Sequence, residues 1–562
     1  MNYKKRLFFI GGLIILGLIV FKARDFLLVD NTGQSAVDHD FKEPVLGIFD
    51  RSGKLSNYSV DSLAHVCITL DKSANHDTLQ KLAAAMASLH DVMITIKMQS
   101  GSKDFVLKEV AKGEFDEILK LFGAVIARHQ QHVFVRWNPE MEVPVKLYEW
   151  QYQSPDNYIE AFKHFSGVCK KYSPNVSIVW GPAGYPGTEE YWPGKEAVDL
   201  VSVTLNSKSE GLAMAYPIER DLKTSIKRKI HRVRFMNKPV LILGAEKQNP
   251  LSKTAIARAL MEMKNDAPTI YGTAEMDESG RLPSLVSKPV IGVYDPKLLL
   301  VSSPAVRTEH VFIDLRHIQE GTFQKDFDAV IKRDHDIIVS FEPWRDQKVR
   351  KDTNVLQNTI QGIYDKEFEE LYRILASSKR TVYLRFAHEM EIPIHRYAWQ
   401  SQDPVLYIKA FRYFMNFNKS NRGNIKKVWG PAGDRGSMEW WPGKDVVDFV
   451  SVAIYGLPDK NITDPTKQES FETIYNRKFN RIRLGGKPVF ITEFGVKGPE
   501  DYKKRWMENA AGVINNHKEI AGVCYFNLAD NPEVWGDIPA PDWSIKRETF
   551  NHFIQTLTVD KH

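Results

Sequence analysis

VYLRFAHEMEIP, residues 382–393, repeats VFVRWNPEMEVP, residues 133–144, at an offset of 249. The repetition extends both ways. Upstream, EPVLGIFD (43–50) returns as KPVIGVYD (288–295), at an offset of 245. Downstream, VWGPAG (179–184) returns at 428–433, YWPGK (191–195) as WWPGK (440–444), and KPVLI (238–242) as KPVFI (487–491). From Val179 to Val203, 17 of 25 positions are identical at the constant offset of 249. A period that long means two copies of a whole domain and not a solenoid. The boundaries read as a first copy at 44–276, a linker at 277–287 (DESGRLPSLVS) and a second copy at 288–558.

Each copy alternates short apolar runs with longer amphipathic stretches. In the second, VIGVY, HVFIDL, DIIVSF, TVYLRF, KKVWG, VDFVSVAIY, PVFITEF and AGVCYF read as strands. KEFEELYRILASS (366–378) and PVLYIKAFRYFMNF (404–417) read as helices between them. Eight strands with interspersed helices predict an α/β fold, two tandem (β/α)8 TIM-type barrels. In that architecture chemistry sits where strands end and loops begin.

The 562 residues are ample for two such domains, and 43% hydrophobic content supplies their cores. Lys and Arg number 76 against 70 Asp and Glu, and the resulting +6 is spread over the chain with no basic stripe. That excludes a dedicated nucleic-acid binder. Three cysteines exclude a disulfide framework and a cysteine-rich zinc module. Residues 7–21, LFFIGGLIILGLIVF, carry no charge and lie between Lys4-Lys5-Arg6 and Lys22. Such a stretch reads as an N-terminal transmembrane signal anchor over 1–25, with a polar tether at 26–43; a cleaved signal peptide is the alternative. The basic cluster keeps the N-terminus in the cytoplasm. The expected location is therefore the inner membrane, with the remaining chain facing the periplasm or the exterior, or a secreted protein if the signal is cleaved.

Glu389 follows the fourth strand, in RFAHEME, and Glu493 ends the seventh, in ITEFG. Two carboxylates converging on one barrel mouth suit retaining glycoside hydrolysis, one protonating the leaving oxygen and the other attacking the anomeric carbon. Tyr455, ending VDFVSVAIY, is placed to hold one of them. Arg385, late in its strand, reads as a supporting partner of the carboxylates.

RFAHEME, WWPG…VDFVSVAIY, ITEFG and the late Asp542–Trp543 pair resemble glycoside hydrolase family 26, which contains many β-mannanases, across about 292–543. The resemblance implies Glu389 as acid/base, His388 as its neighbour, Glu493 as nucleophile and Tyr455 as the nucleophile's hydrogen-bond partner. It also implies a polysaccharide substrate. Where many members show HEMNGxW this chain has HEMEIPI, so the sugar it accepts is left open. A transglycosidase would use the same residues, and a glycan-binding scaffold without turnover is the rival from another class.

Trp344, Trp399, Trp440, Trp441, Trp535 and Trp543 sit in loops and read as sugar platforms, with Trp429 packing inside the barrel. Glu391 reads as a surface or subsite residue. His388, Glu389, Glu391 and His395 do not form HExxH, because the second His would fall at Ile392, so no metal and no cofactor is expected.

The first copy keeps Glu140 at the position of Glu389, but Pro139 replaces His388, Asn206 replaces Tyr455 and Gly244 replaces Glu493. Glu246 is two residues too far along. The expectation is a non-catalytic copy that grips glycan through Trp137, Trp150, Tyr191 and Trp192, or braces its neighbour.

Overall fold

The computed structural model describes residues 37–38, 43–58, 63–73, 76–87, 89, 91–101, 105–213, 221–244, 251–265, 277, 282–285, 287–345, 353–393, 396–417, 423–456, 469–532 and 539–558. Its first sheet contains β1 (Val37–Asp38), β2 (Val45–Phe49), β3 (Ala64–Leu70), β4 (Val92–Met98), β5 (Val133–Trp137), β6 (Val176–Trp180), β7 (Leu200–Leu205) and β8 (Val240–Gly244). The second contains β9 (Val290–Tyr294), β10 (Thr308–Asp314), β11 (Asp336–Glu342), β12 (Val382–Phe386), β13 (Ile425–Trp429), β14 (Phe449–Gly456), β15 (Val489–Val496) and β16 (Ile520–Phe526).

Strands β9 to β16 close into a barrel, β16 returning to pair in parallel with β9. All eight runs read as strands in the second copy are strands here. A strand covered on both faces reads as a continuous apolar run, and β15, VFITEFGV, is buried at every position. The helix Asp365–Leu375 buries Phe368, Leu371, Tyr372 and Leu375, a three- and four-residue spacing that turns one stripe toward the barrel. The helix Phe471–Ile482 begins at Ser470, whose side chain accepts the Thr473 N–H and so satisfies one of the helix's unpaired donors.

The first sheet departs from expectation. Strands β3 to β8 are parallel neighbours in chain order, but the sheet ends at β1, antiparallel to β3, and at β2, antiparallel to β8. The expected second closed parallel barrel is therefore corrected to a sheet of six parallel strands flanked by two reversed ones, with no closure among the described residues. EPVLGIFD thus runs opposite to its repeat KPVIGVYD, which is parallel to both of its neighbours. Side-chain alternation along a strand carries no direction, so near-identical runs accept either polarity.

Among the described residues no helix is long and apolar enough to cross a membrane. Residues 7–21, which carry the anchor reading, lie outside the described residues.

The halves meet through the same segments of each. Glu439 contacts Arg228 (Nε–Oε1 2.6 Å) and Arg232 (Nε–Oε2 3.3 Å), and Glu190 contacts Arg481 at 3.6 Å. At the offset of 249, Glu190 and Arg232 become Glu439 and Arg481, so one chain builds the self-complementary contact of a two-fold dimer. His231 Nε2 adds a 2.7 Å contact to the Glu439 carbonyl, and Arg234 donates to the Trp441 carbonyl at 3.3 Å. Burial pushes the Glu439 carboxyl up, but Arg228 and Arg232 outweigh it and hold the group down at about 2.

Candidate active site

The mouth of the closed barrel holds a cavity of about 720 Å³. Glu389, Glu493, His388, Tyr455 and Trp344 line it, together with Asp314, His317, Glu342, Tyr397 and Asp530.

Glu389 owes its aim to a kink after β12. Ala387 (φ 45°) and Glu389 (φ 54°) both adopt left-handed backbone, a strain of roughly 1–3 kcal/mol each for residues with a Cβ. The Glu389 N–H is fixed by the Gly430 carbonyl at 2.7 Å, the next loop round the barrel. Burial pushes the Glu389 carboxyl up to about 7, helped by the Glu493 charge and opposed by Arg385. A carboxyl raised this far keeps a proton near neutrality, the property a proton donor needs.

Glu493 lies on β15 and is held from two sides. Arg385 donates to Oε1 at 2.6 Å, and the Tyr455 hydroxyl donates to Oε2 at 3.0 Å. Arg385 also donates to the Thr492 hydroxyl at 2.6 Å and is almost fully buried. It fits only because residue 430 is glycine: a Cβ there would lie 2.8 Å from Arg385 Cδ. Burial and the Glu493 charge push the Tyr455 phenol well above its usual range, so it stays a donor. The result is a protonated carboxyl and a charge-paired carboxylate facing one cavity.

His388 is buried, and burial with the nearby Arg385 charge pushes its imidazole well below the usual range. It is a neutral ring packed against Phe312, Tyr397 and Trp399.

The tryptophan expectations are corrected in part. Trp344 lines the cavity and donates to Glu342 at 3.0 Å. Trp399 is fully buried, donates to the His388 carbonyl at 2.7 Å and stacks on Tyr397. Trp440 and Trp441 pack edge-on against Tyr407 and Trp429, and Trp543 packs on Tyr455. These four are covered by protein and present no open face for a sugar; Trp399 and Trp543 instead pack against Tyr397 and Tyr455, which line the mouth. Position in a loop does not imply exposure when the loop folds back onto the barrel. Trp535 and His395 lie outside the described residues. Trp137, Trp150, Tyr191 and Trp192 of the first copy are likewise buried, which removes the expected gripping aromatics.

Glu391 is also corrected: it is buried, and its Oε1 accepts from the Gly433 and Asp434 N–H groups and from the Ser437 hydroxyl at 2.7 Å, pinning the following loop. Sequence reasoning missed Asp314 and Asp530, although Asp314 ends β10 and the rule that found Glu493 applies to it equally.

No protein-family model matches the chain. A β-1,3-xylanase from Alcaligenes sp. is 27% identical over 155 residues, 26% of this chain and 29% of that protein. The β-1,3-xylanase TXYA from Vibrio sp. is 28% identical over 157 residues, 26% of this chain and 30% of that protein. The alignment thus spans less than a third of these relatives' length. Among solved structures, a GH26 β-mannanase from Bacteroides ovatus aligns at 15% identity and TM-score 0.36, covering 49% of this chain and 94% of its own. A GH26 endo-β-1,4-mannanase catalytic domain from Bacillus sp. JAMB-750 aligns at 13% identity and TM-score 0.35, covering 48% and 85%. The chain is similar to glycoside hydrolases, and the family it resembles is glycoside hydrolase family 26.

Proposed function

We propose that the C-terminal barrel is a retaining endo-β-glycosidase that hydrolyses an extracytoplasmic polysaccharide by double displacement. The observation that carries this reading is the division of labour between the two mouth carboxyls: burial raises Glu389, while Arg385 and Tyr455 hold Glu493. In the first step Glu389 gives its proton to the glycosidic oxygen, Glu493 attacks the anomeric carbon, and the bond to the leaving sugar breaks. In the second, Glu389, now a carboxylate, takes a proton from water, whose oxygen displaces Glu493 and restores it. His388 and Tyr397 also line the cavity.

The relatives' names make β-1,3-xylan and β-1,4-mannan the first polymers to test. The anchor reading of residues 1–25 adds the cell's own exported glycans and places the site outside the cytoplasmic membrane. Incubation with each polymer, with the anomer of fresh product followed by NMR, tests the proposal. New reducing ends of retained configuration are expected. Inverted product, or turnover at the wild-type rate in a chain carrying both Glu493→Gln and Glu140→Gln, would refute it.

A further inference from the structure

The first repeat lost its nucleophile position to Gly244, yet its buried arginine is not left alone. Arg136, the counterpart of Arg385, donates to the carboxylate of Glu43 at 2.6 Å, the same length as the Arg385–Glu493 bond. Glu43 gets there because β2 is reversed. Parallel strands bring their C-terminal ends to the mouth, so an antiparallel strand brings its N-terminal end there. The pairing Val45↔Leu243 and the bond from the Gly244 N–H to the Pro44 carbonyl at 3.0 Å set Glu43 beside the vacated strand end.

Several neighbouring contacts repeat, although Arg136 places its second bond on the Thr204 hydroxyl (2.9 Å) where Arg385 uses that of Thr492 (2.6 Å). His310 spans the second barrel between the Thr492 carbonyl (3.1 Å) and the Ser340 hydroxyl (2.8 Å). Its counterpart His65 spans the Glu43 carbonyl (2.9 Å) and the Thr95 hydroxyl (2.7 Å). Glu140 sits on the same left-handed kink as Glu389, with φ 61° and its N–H on the Gly181 carbonyl at 2.8 Å. Burial pushes Glu140 up to about 7, with the Glu43 charge the next cause and Arg136 opposing, the same balance as at Glu389. The two arginine-held carboxylates are equally open, 12% of the side chain for Glu43 and 10% for Glu493. In the second repeat residue 43 corresponds to Lys288, so no comparison of the repeats in register reveals the substitution.

We infer that the first repeat carries a second glycoside-hydrolysing site, with Glu140 as proton donor and Glu43, supplied by the reversed strand, as nucleophile. Its substrate is a β-linked glycan, and the proposal rests on the chemistry proposed for the second barrel. Glu140 protonates the glycosidic oxygen while Glu43 forms an ester with the anomeric carbon and the leaving sugar departs. Water, deprotonated by Glu140, then cleaves the ester and regenerates both groups. Asn206 and Pro139 stand where Tyr455 and His388 assist the second site, so Glu43 is held by the arginine without a tyrosine partner, and Glu140 is met by the Ser209 side chain.

The test uses the full chain carrying Glu493→Gln. Incubation with 2,4-dinitrophenyl 2-deoxy-2-fluoro-β-xyloside and the matching β-mannoside, followed by peptide mass spectrometry, is expected to find a glycosyl ester on Glu43. The wild-type chain is expected to carry it on both Glu43 and Glu493. An adduct on Glu493 alone, or none on Glu43 in either chain, overturns the inference; the Glu493 adduct reports separately on the second barrel. In the Glu493→Gln background, adding Glu140→Gln, which leaves the Arg136–Glu43 pair intact, is expected to lower hydrolysis of β-1,3-xylan or β-1,4-mannan on the order of 100-fold or more. An unchanged rate would also overturn the inference.

Discussion

Replacing Glu439 with glutamine tests whether the two repeats stabilise one another. Glu439 is buried at their contact and meets Arg228 at 2.6 Å and Arg232 at 3.3 Å. Its carboxyl is held at about 2 against an ordinary 4.5. At 1.36 kcal/mol per unit, that difference corresponds to about 3 kcal/mol of folding stability. Removing one partner of a buried pair costs about 3–5 kcal/mol by the independent route of leaving a charge uncompensated, so the two figures agree. For a unit the size of one repeat, each kcal/mol moves the melting midpoint by about 2–4 °C, which puts the variant about 6–12 °C below wild type. Differential scanning calorimetry at neutral pH reads the shift. The sign with pH is fixed: a depressed carboxyl contributes above about 4.5 and loses that contribution as pH falls toward about 2. The gap between wild type and variant therefore narrows in acid. Adding Arg232→Met removes one of the two stranded guanidinium groups and is expected to recover part of the loss. A midpoint within about 1 °C of wild type at neutral pH, or a gap that widens in acid, would refute the coupling.

Glu389→Ala is expected to spare substrates with a leaving group that needs no proton, such as dinitrophenyl glycosides, and to lose polymer hydrolysis; equal loss on both, measured in the full chain carrying Glu140→Gln, contradicts the acid role. Tyr455→Phe removes the 3.0 Å bond to Glu493, and at about 1.5–3 kcal/mol for a bond to a charged group it should lower kcat roughly 10- to 100-fold with KM little changed. Gly430→Ala would drive a Cβ to 2.8 Å from Arg385 Cδ and displace the clamp, so kcat should fall while circular dichroism stays native; full activity would show that Arg385 is not a positioning residue. Glu140, Glu189 and Glu389 are each raised to about 7, chiefly by burial, so they stabilise the fold below about 4.5 and that share is lost as pH rises through about 7. Melting midpoints should accordingly fall between about pH 5 and pH 8, and a rise over that interval contradicts the burial of these groups.

The second barrel was legible because its strands are covered on both faces and read as unbroken apolar runs, and because Glu389 and Glu493 stand at strand ends. The tryptophans were misread for the opposite reason. A loop position says nothing about whether the loop folds back, and Trp399 is fixed by a hydrogen bond to His388 that no spacing reveals. The reversal of β2 was invisible in principle: alternation is the same read either way, and EPVLGIFD matches a forward strand elsewhere in the chain. Glu43 was lost with it, because a carboxylate preceding a strand is expected at the floor of a barrel and not at its mouth.

The reversed strand also orders events during synthesis. Among the described residues β2 pairs with β8 and with no other strand, so residues 45–49 have no sheet partner until residues 240–243 exist. Closing a loop that long costs entropy before any pairing returns it, whereas β3 to β7 each gain a neighbour as the chain lengthens. The nascent first repeat therefore passes through a stage with an open sheet edge along β7 and an arginine awaiting its carboxylate. A ribosome stalled before residue 240 would present that half-built edge, and limited proteolysis of arrested chains should cut near residue 43 until β8 has emerged.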